Sequence, residues 1–290
     1  QLLPRCSAGD LCVVPGLNGV KIGDILGANA ARGDHSESEP MLQSTVTFDP
    51  PVRSDQVLRA LRELEEEDPT LCVENDSSGL SIRVMGEIQL DVLTELLQER
   101  YGLNVRFGNR RVIFLETIAE PAIGIGHYEP LRHYAEVHLR LVPGPRGSGI
   151  RFESKCHVDI LGLNWQRLIE THVFEKQHRG VLTGAALTDV TVQLLTGRAH
   201  LKHTEGGDFR QATYRAIRNA LMNAKSVLLE PVCAFTLRAP AELYGRLAGD
   251  MTRLRADCEP PVYAGDIVEI SGQATFREIS EYARNLAAQT

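Results

Sequence analysis

The sequence predicts an α+β, multidomain chain in which two ferredoxin-like split β-α-β domains flank a differently built basic module. Three observations predict it. A β-α-β-β-α-β order of apolar periodicities runs over about residues 44–109, a second copy begins near Val232, and the segment between them concentrates the cations. The 290 residues carry 31 Lys and Arg against 38 Asp and Glu, a net charge of −7. Residues 119–225 nonetheless hold 14 Lys and Arg against 10 Asp and Glu, and eight of the nine histidines. An acidic chain that gathers its cations in one module directs that module to a polyanion.

Taken in order, residues 1–40 place Cys12-Val13-Val14 and Val20-Lys21-Ile22 around Pro15-Gly16 and Asn18-Gly19. That is a β-hairpin fragment followed by a polar linker, Arg32 to Pro40, too small to fold alone. A region N-terminal to it is therefore expected. In the first repeat Ser44–Phe48 alternates as a strand, stopped by Pro50-Pro51. Ser54 can cap a helix whose Val57, Leu58, Leu61 and Leu64 have helical spacing. Leu71–Glu74 and Leu80–Met85 read as strands around a turn at Asp76-Ser77-Ser78-Gly79. Ile88, Val92, Leu93, Leu96 and Leu97 mark a second helix ending at Gly102, and Leu103–Phe107 closes the sheet.

The middle module reads as a strand at Ala135–Leu141, a Pro143-to-Gly149 turn and a return strand at Ile150–Glu153. A helix from Asn164 runs through Leu168, Ile169, Val173 and Phe174 to Gly180, and Leu187–Leu195 is a long strand. Asp208 with Gln211 makes a capping box for a helix that buries Phe209, Ala212, Ala216, Ile217, Ala220 and Leu221. Arg210, Tyr214, Arg218 and Lys225 fall on one outward arc, either a solvated face or a nucleic-acid face. The second repeat has a strand at Cys233–Leu237, a helix from Pro240 through Leu243, Leu247 and Met251, and a strand at Ile267–Ile270. Thr275 and Glu278 then cap a helix through Ala283 and Leu286. Thr290 comes where a fourth strand is due, so truncation is expected there too.

Catalytic signatures are missing from these residues. There is no GxxxxGK[ST] loop, no HExxH and no Gly-x-Ser-x-Gly elbow, and the Gly124-Ile125-Gly126 pair opens no helix. Glu65-Glu66-Glu67-Asp68 reads as a solvated helix end. The six cysteines are scattered without a CxxC pair, which favours buried reduced thiols and a cytoplasmic location. No apolar run approaches the ~18 residues of a membrane span. His200, His203 and Glu205, or His133 with His138, have zinc-compatible side chains but not the usual ligand spacing.

Two loops carry the binding chemistry. Gly197-Arg198-Ala199-His200-Leu201-Lys202-His203-Thr204-Glu205-Gly206-Gly207 puts four basic or imidazole side chains between glycines. Such a loop can stack imidazoles on bases and hold phosphates with Arg198 and Lys202, although a plain exposed loop has the same composition. His127-Tyr128-Glu129-Pro130-Leu131-Arg132-His133-Tyr134 interleaves aromatics with cations, as an RNA-stacking surface does.

These residues resemble the C-terminal half of elongation factor G-type translational GTPases. The resemblance rests on Gly86-Glu87-Ile88-Gln89-Leu90-Asp91-Val92, Val112-Ile113-Phe114-Leu115-Glu116-Thr117-Ile118, Gly180-Val181-Leu182-Thr183-Gly184 and the Gly197-to-His200 stretch. Pro145-Arg146-Gly147-Ser148-Gly149 with Phe152-Glu153-Ser154, Asp208-Phe209-Arg210, Leu228-Leu229-Glu230-Pro231 with Ala239-Pro240, and Ser271-Gly272 before the Glu278-to-Asn285 helix are similar to the tetracycline-resistance ribosomal protection class. The tip segment His200–Gly207 departs from the proline-containing loop of that class.

The resemblance implies that residues 1–40 end a β-barrel domain II, 41–110 form a ferredoxin-like domain III and 111–230 form domain IV. Domain IV would be ribosomal protein S5 domain 2-like, and 231–290 would be a truncated ferredoxin-like domain V. It implies a cytoplasmic monomer that needs no membrane and binds the ribosome, at the 16S rRNA decoding region and at 23S rRNA. The rRNA-binding residues it implies are Arg198, His200, Lys202, His203, Thr204, Arg210, Arg218, Tyr128, Arg132 and His133. GTP and magnesium are expected only in an N-terminal domain outside these residues, which hold no cofactor or nucleotide site of their own. Two functions within the family stay open, tetracycline release and elongation factor G-like translocation. A non-GTPase RNA-binding module, or a ligand-sensing protein with ferredoxin-like effector sites, is the alternative outside it.

Overall fold

The computed structural model describes residues 5–16, 20, 24–26, 40–76 and 79–287. The chain divides into two compact units, residues 1–111 and 112–290. Cys12–Val14 is exposed and forms no strand, so the expected N-terminal hairpin is not present in the described residues, and Lys21 and Ile22 lie outside them. The six cysteines are reduced thiols, but they are not the buried set expected, since Cys6, Cys12 and Cys258 are exposed and only Cys156 is buried.

In the first unit the elements are β1 (Leu42–Phe48), α1 (Ser54–Glu67), β2 (Glu74–Asp76), β3 (Gly79–Val84), α2 (Glu87–Tyr101), β4 (Val105–Phe107) and the two-residue β5 (Arg111–Val112). The sheet runs β2-β3-β1-β4 with antiparallel neighbours, the split β-α-β arrangement, and β5 pairs with β1. Its core joins Val46, Ile82 and Val84 of the sheet to Val57, Leu61 and Leu64 of α1 and Leu90, Leu93 and Leu97 of α2. Burying each such leucine contributes about 1.5–3 kcal/mol.

Gly102 ends α2 in the left-handed region (φ 66°), and its N–H donates to Gln98 O at 3.0 Å. The N-cap of α1 is Arg53, not Ser54; the Gln56 side-chain oxygen accepts the Arg53 N–H at 3.2 Å. Leu71–Glu74 is not a strand either. A 3-10 turn occupies Pro69–Leu71, held by Asp68 Oδ1 accepting the Thr70 N–H at 3.1 Å, so β2 starts only at Glu74. Ser77 and Ser78 of the expected turn lie outside the described residues.

The second unit begins with β6 (Leu115–Ile118), β7 (Ala122–Tyr128), β8 (Ala135–Pro143), β9 (Ile150–Ser154), α3 (Leu163–Phe174), β10 (Ala186–Leu187), β11 (Val190–Ala199), α4 (Gly206–Asn223) and β12 (Ser226–Leu229). One sheet runs β7-β8-β11-β9 and another β10-β6-β12; β11 lies parallel to β9, and β10 parallel to β6. Val137, Leu139, Leu141, Val192 and Leu194 point into a core with Ile169 and Val173 of α3 and Phe209, Ala216 and Ile217 of α4.

The remainder is β13 (Val232–Pro240), α5 (Tyr244–Arg253), β14 (Asp257–Cys258), β15 (Val262–Ala264), β16 (Ile267–Thr275) and α6 (Phe276–Ala287). Here β16 is flanked by β13 and β14 and also pairs with β15, over a core of Leu247, Met251, Val268 and Ile270. Thr275 Oγ1 donates to Glu278 Oε2 at 3.1 Å, at the start of α6 as the sequence suggests.

Four expectations for the middle module need correction. The helix α3 stops at Phe174, not Gly180, because the buried His178 ring meets the Val173 carbonyl at 3.0 Å and holds the chain in a return. The strand expected over Leu187–Leu195 is two strands in different sheets. Asp189 breaks it with φ 55° while its carboxylate accepts the Gly149 N–H at 3.1 Å. The cap of α4 is Glu205 with Asp208, whose Oδ2 accepts the Glu205 N–H at 2.9 Å, in place of Asp208 with Gln211. Lys225 leaves the arc of α4, since Ala224 is extended and Lys225 belongs to the chain beyond the helix.

Candidate nucleic-acid interface

Two loops meet at one end of the β7-β8-β11-β9 sheet. Residues 129–134 join β7 to β8, residues 200–205 join β11 to α4, and the register places Tyr128 opposite Ala135 and Ala135 opposite Ala199. The loops are stapled together. Tyr134 N–H donates to His203 O at 2.8 Å, and Thr204 Oγ1 donates to Tyr134 O at 2.6 Å while accepting the His200 N–H at 2.6 Å. The 129–134 loop turns at Arg132, whose φ of 65° lets His133 N–H reach Pro130 O at 2.9 Å.

The staple lays out the ring surface. His200 and His203 stack with centroids 4.6 Å apart and planes at 18°. His127 meets Tyr134 edge-on at 5.5 Å, and the Arg215 guanidinium sits 5.0 Å over the Tyr128 ring. Leu131 and Leu201, at the two loop tips, are fully exposed.

The charges at this end divide into satisfied and open ones. Glu136 accepts from His138 at 2.6 Å and from the Tyr134 hydroxyl at 3.0 Å, and these bonds, His138 first, hold its carboxyl below the usual range. Burial, with Glu136 behind it, raises the Tyr134 phenol. His133 Nδ1 lies 2.9 Å from Asp208 Oδ1 without forming a hydrogen bond. Arg198 and Lys202 are exposed and make no ion pair with a carboxylate among the described residues. They are the open positive charges of the tip.

The remaining residues expected at the interface lie away from the tip. Arg210 Nε donates to Glu175 Oε1 at 2.8 Å, and the Tyr214 hydroxyl bonds the same oxygen. The Tyr214 bond first, then Arg210 and His172, hold Glu175 down to about 2 against the opposing effect of burial. Burial foremost, then Glu175, pushes Tyr214 up to about 12. Arg218 turns its guanidinium to the Gly180 carbonyl at 3.3 Å. Thr204 serves inside the staple, while Tyr128, Arg132, His133, Arg198, His200, Lys202 and His203 come together at the tip.

Sequence reasoning missed three contributors. Gly124 and Gly126 are packing residues: a Cβ on them would stand 2.0 Å from Ala216 O and 1.8 Å from Ala212 O, so α4 lies directly on β7. That approach sets the first turn of α4 beside both loops, and alanines spaced four apart in α4 were the available signal. Glu116 is 1% exposed and accepts from the Leu182, Thr183 and Ala185 N–H groups and the Thr183 hydroxyl at 2.8–3.2 Å. Burial alone would raise its carboxyl, yet these donors together lower it. Arg215 is the third, donating from Nη1 to His127 O at 2.7 Å. Among the described residues no cluster of three His, Cys, Asp or Glu side chains could hold a metal ion, and no helix is long and apolar enough to cross a membrane.

Comparison with known proteins agrees with this architecture. The family model for Elongation Factor G, domain III, matches residues 38–109, and that for Elongation factor G, domain IV, matches residues 110–225. Tetracycline resistance protein TetP of Clostridium perfringens is 32% identical over 99% of this chain and 44% of its own length. Elongation factor G 2 of Syntrophus aciditrophicus (strain SB) is 28% identical over 100% of this chain and 44% of its own. Tetracycline resistance protein TetM of Streptomyces lividans is 30% identical over 98% and 45%. The chain thus spans less than half the length of these relatives. A crystal structure of a protein from Thermus thermophilus superposes with a TM-score of 0.64 at 28% identity, covering 85% of this chain and 38% of that one. Matched over residues 38–225 by the models of two consecutive elongation factor G domains, the chain belongs to the elongation factor G family.

Proposed function

We propose that this chain is the ribosome-binding part of a translational GTPase of the tetracycline-resistance ribosomal protection type. Its residues 111–230 would be placed at the decoding site to release the drug. The supporting observation is the stapled pair of loops, where Arg198 and Lys202 stand open beside the stacked His200 and His203 rings. A pre-formed loop pair loses little conformational entropy on docking, and exposed cations beside ring faces suit phosphates and unstacked bases together.

In this reading Arg198 and Lys202 bind 16S rRNA phosphates. His200, His203 and Tyr128 offer ring faces, and Arg132 and His133 complete the adjacent loop. Contact with 23S rRNA, a cytoplasmic location and a monomeric state belong to the same proposal. So do GTP and magnesium, bound in a domain N-terminal to these residues and hydrolysed there for release. The 290 residues themselves hydrolyse nothing. The similarity to elongation factor G 2 of Syntrophus aciditrophicus, with a tip segment lacking a proline loop, favours translocation as the second reading.

The test is binding of the chain to purified 30S and 70S ribosomes across a salt series, with Arg198→Ala/His200→Ala/Lys202→Ala as the variant. Affinity that falls steeply with salt and drops at least tenfold in the variant supports the reading, about 1.4 kcal/mol or more. Binding unchanged in the variant removes the tip from it. Tetracycline displacement by the full-length protein then separates protection from translocation.

A further inference from the structure

We infer that the groove beside α4 is a second RNA site, taking a short single-stranded segment with its phosphates on Lys176, Arg215 and Arg218 and a base on the apolar floor of Ile125 and Met222. This goes beyond the tip-loop reading and does not depend on it. The groove encloses about 830 Å³ between the edge strand β7, α4 and the return after α3. Its walls include Lys176, Arg179, Arg215 and Arg218, and among the described residues no aspartate or glutamate lines it.

Three of these cations, Lys176, Arg215 and Arg218, are positioned without a carboxylate partner among the described residues. Lys176 Nζ stands 3.6 Å from the Tyr214 ring centroid, Arg215 rests on the His127 carbonyl and Arg218 on the Gly180 carbonyl. Ring faces and carbonyls orient a positive charge and leave its attraction for an anion intact. Glu175, the carboxylate beside Lys176 in the chain, is committed to Tyr214, Arg210 and His172.

The floor argues for a base as well as a phosphate. Ile125 and Met222 are 50% and 68% exposed inside this basic rim, and His178 meets Tyr214 edge-on at 5.8 Å. Apolar and aromatic surface inside a cationic wall fits an unstacked base with its own phosphates, whereas a duplex keeps its bases stacked away from such a floor. A purely acidic peptide would leave the apolar floor unfilled.

The experiment measures anisotropy of a fluorescein-labelled eight-nucleotide single-stranded RNA with the 290-residue chain in a salt series. The tip variant Arg198→Ala/His200→Ala/Lys202→Ala serves as background. Adding Lys176→Glu and Met222→Asp, both at exposed positions, is expected to weaken binding at least tenfold with an unchanged melting temperature. Lys176→Ala alone should lower the slope of log K against log salt by about 0.7. Met222→Ser alone should weaken RNA without changing affinity for inorganic pyrophosphate. Binding insensitive to both substitutions overturns the groove site. Competition by an eight-residue polyglutamate as strong as by RNA overturns the nucleic-acid assignment. AMP binding as tightly as the octamer assigns the groove to a free nucleotide and overturns the strand. Loss confined to the tip variant would overturn this inference alone, and loss confined to the groove variants would leave it standing without the tip.

Discussion

Two loops of the second unit are bounded by glycines and have opposite electrostatics. The Gly180–Gly184 loop closes around the Glu116 carboxylate, which collects three backbone N–H groups and the Thr183 hydroxyl. Gly180 is required by contact, since a Cβ there would stand 1.9 Å from Glu116 Oε2, and Gly184 by its φ of 78°. The Gly197–Gly207 loop keeps its hydrogen bonds within the staple and leaves Arg198 and Lys202 without a carboxylate among the described residues. A loop that finds its counter-charge inside the protein is structural, and one that does not is available to a ligand.

That contrast breaks most readily at Glu116. Glu116→Ala removes the shared acceptor of three backbone N–H groups and the Thr183 hydroxyl and is expected to cost about 3 kcal/mol or more in urea unfolding, while Glu116→Gln recovers part of it. The Glu116 carboxyl is depressed in the folded state, so its contribution is present above the unfolded value of about 4.3 and is lost as pH falls through the folded one. The gap between variant and parent in urea unfolding should therefore narrow in acid.

Gly126→Val comes next. It forces α4 off β7, should cost about 3 kcal/mol by overpacking, and should weaken tip binding as well, because both loops depend on where α4 begins. Unfolding and RNA anisotropy on the same variant would show the two losses together.

Glu175→Gln acts more locally. Tyr214 should titrate below its present value of about 12 while staying above an ordinary tyrosine, since burial remains, as ultraviolet titration of the phenol would report. Glu175 is itself held at about 2, so its share of stability is present above the ordinary value of about 4.3 and disappears as pH falls towards 2. Smallest is the tip. Arg198→Ala/Lys202→Ala should leave stability within about 0.5 kcal/mol of the parent, while RNA affinity and its salt slope both fall. A tip variant that unfolds like Glu116→Ala would erase the distinction between the loops.

The first unit was legible because its apolar spacing is decided within each element. Val57, Leu61 and Leu64 repeat at helical intervals, and Gly102 marks the end of α2. What escaped was set by distant partners. The end of α3 depends on His178 folding back to Val173, and the break at Asp189 on a bond to Gly149 forty residues away. Gly124 and Gly126 carry no phosphate-loop spacing, and their purpose shows only when Ala212 and Ala216 arrive from the opposite side. The tip residues were legible as a cluster of cations and rings. Arg210 was not distinguishable from Lys202 by type, and Glu175 alone separates them by neutralising the first.

The Thr204 hydroxyl ties both loops through one atom, taking a hydrogen from His200 and giving one to Tyr134. Everything between those anchors, Leu201 to His203, projects from a base that is already closed. The segment is consequently an exchangeable cartridge. Its exposed side chains can be exchanged by mutation with little penalty to the scaffold, because the bonds that close the base run through the backbone and Thr204.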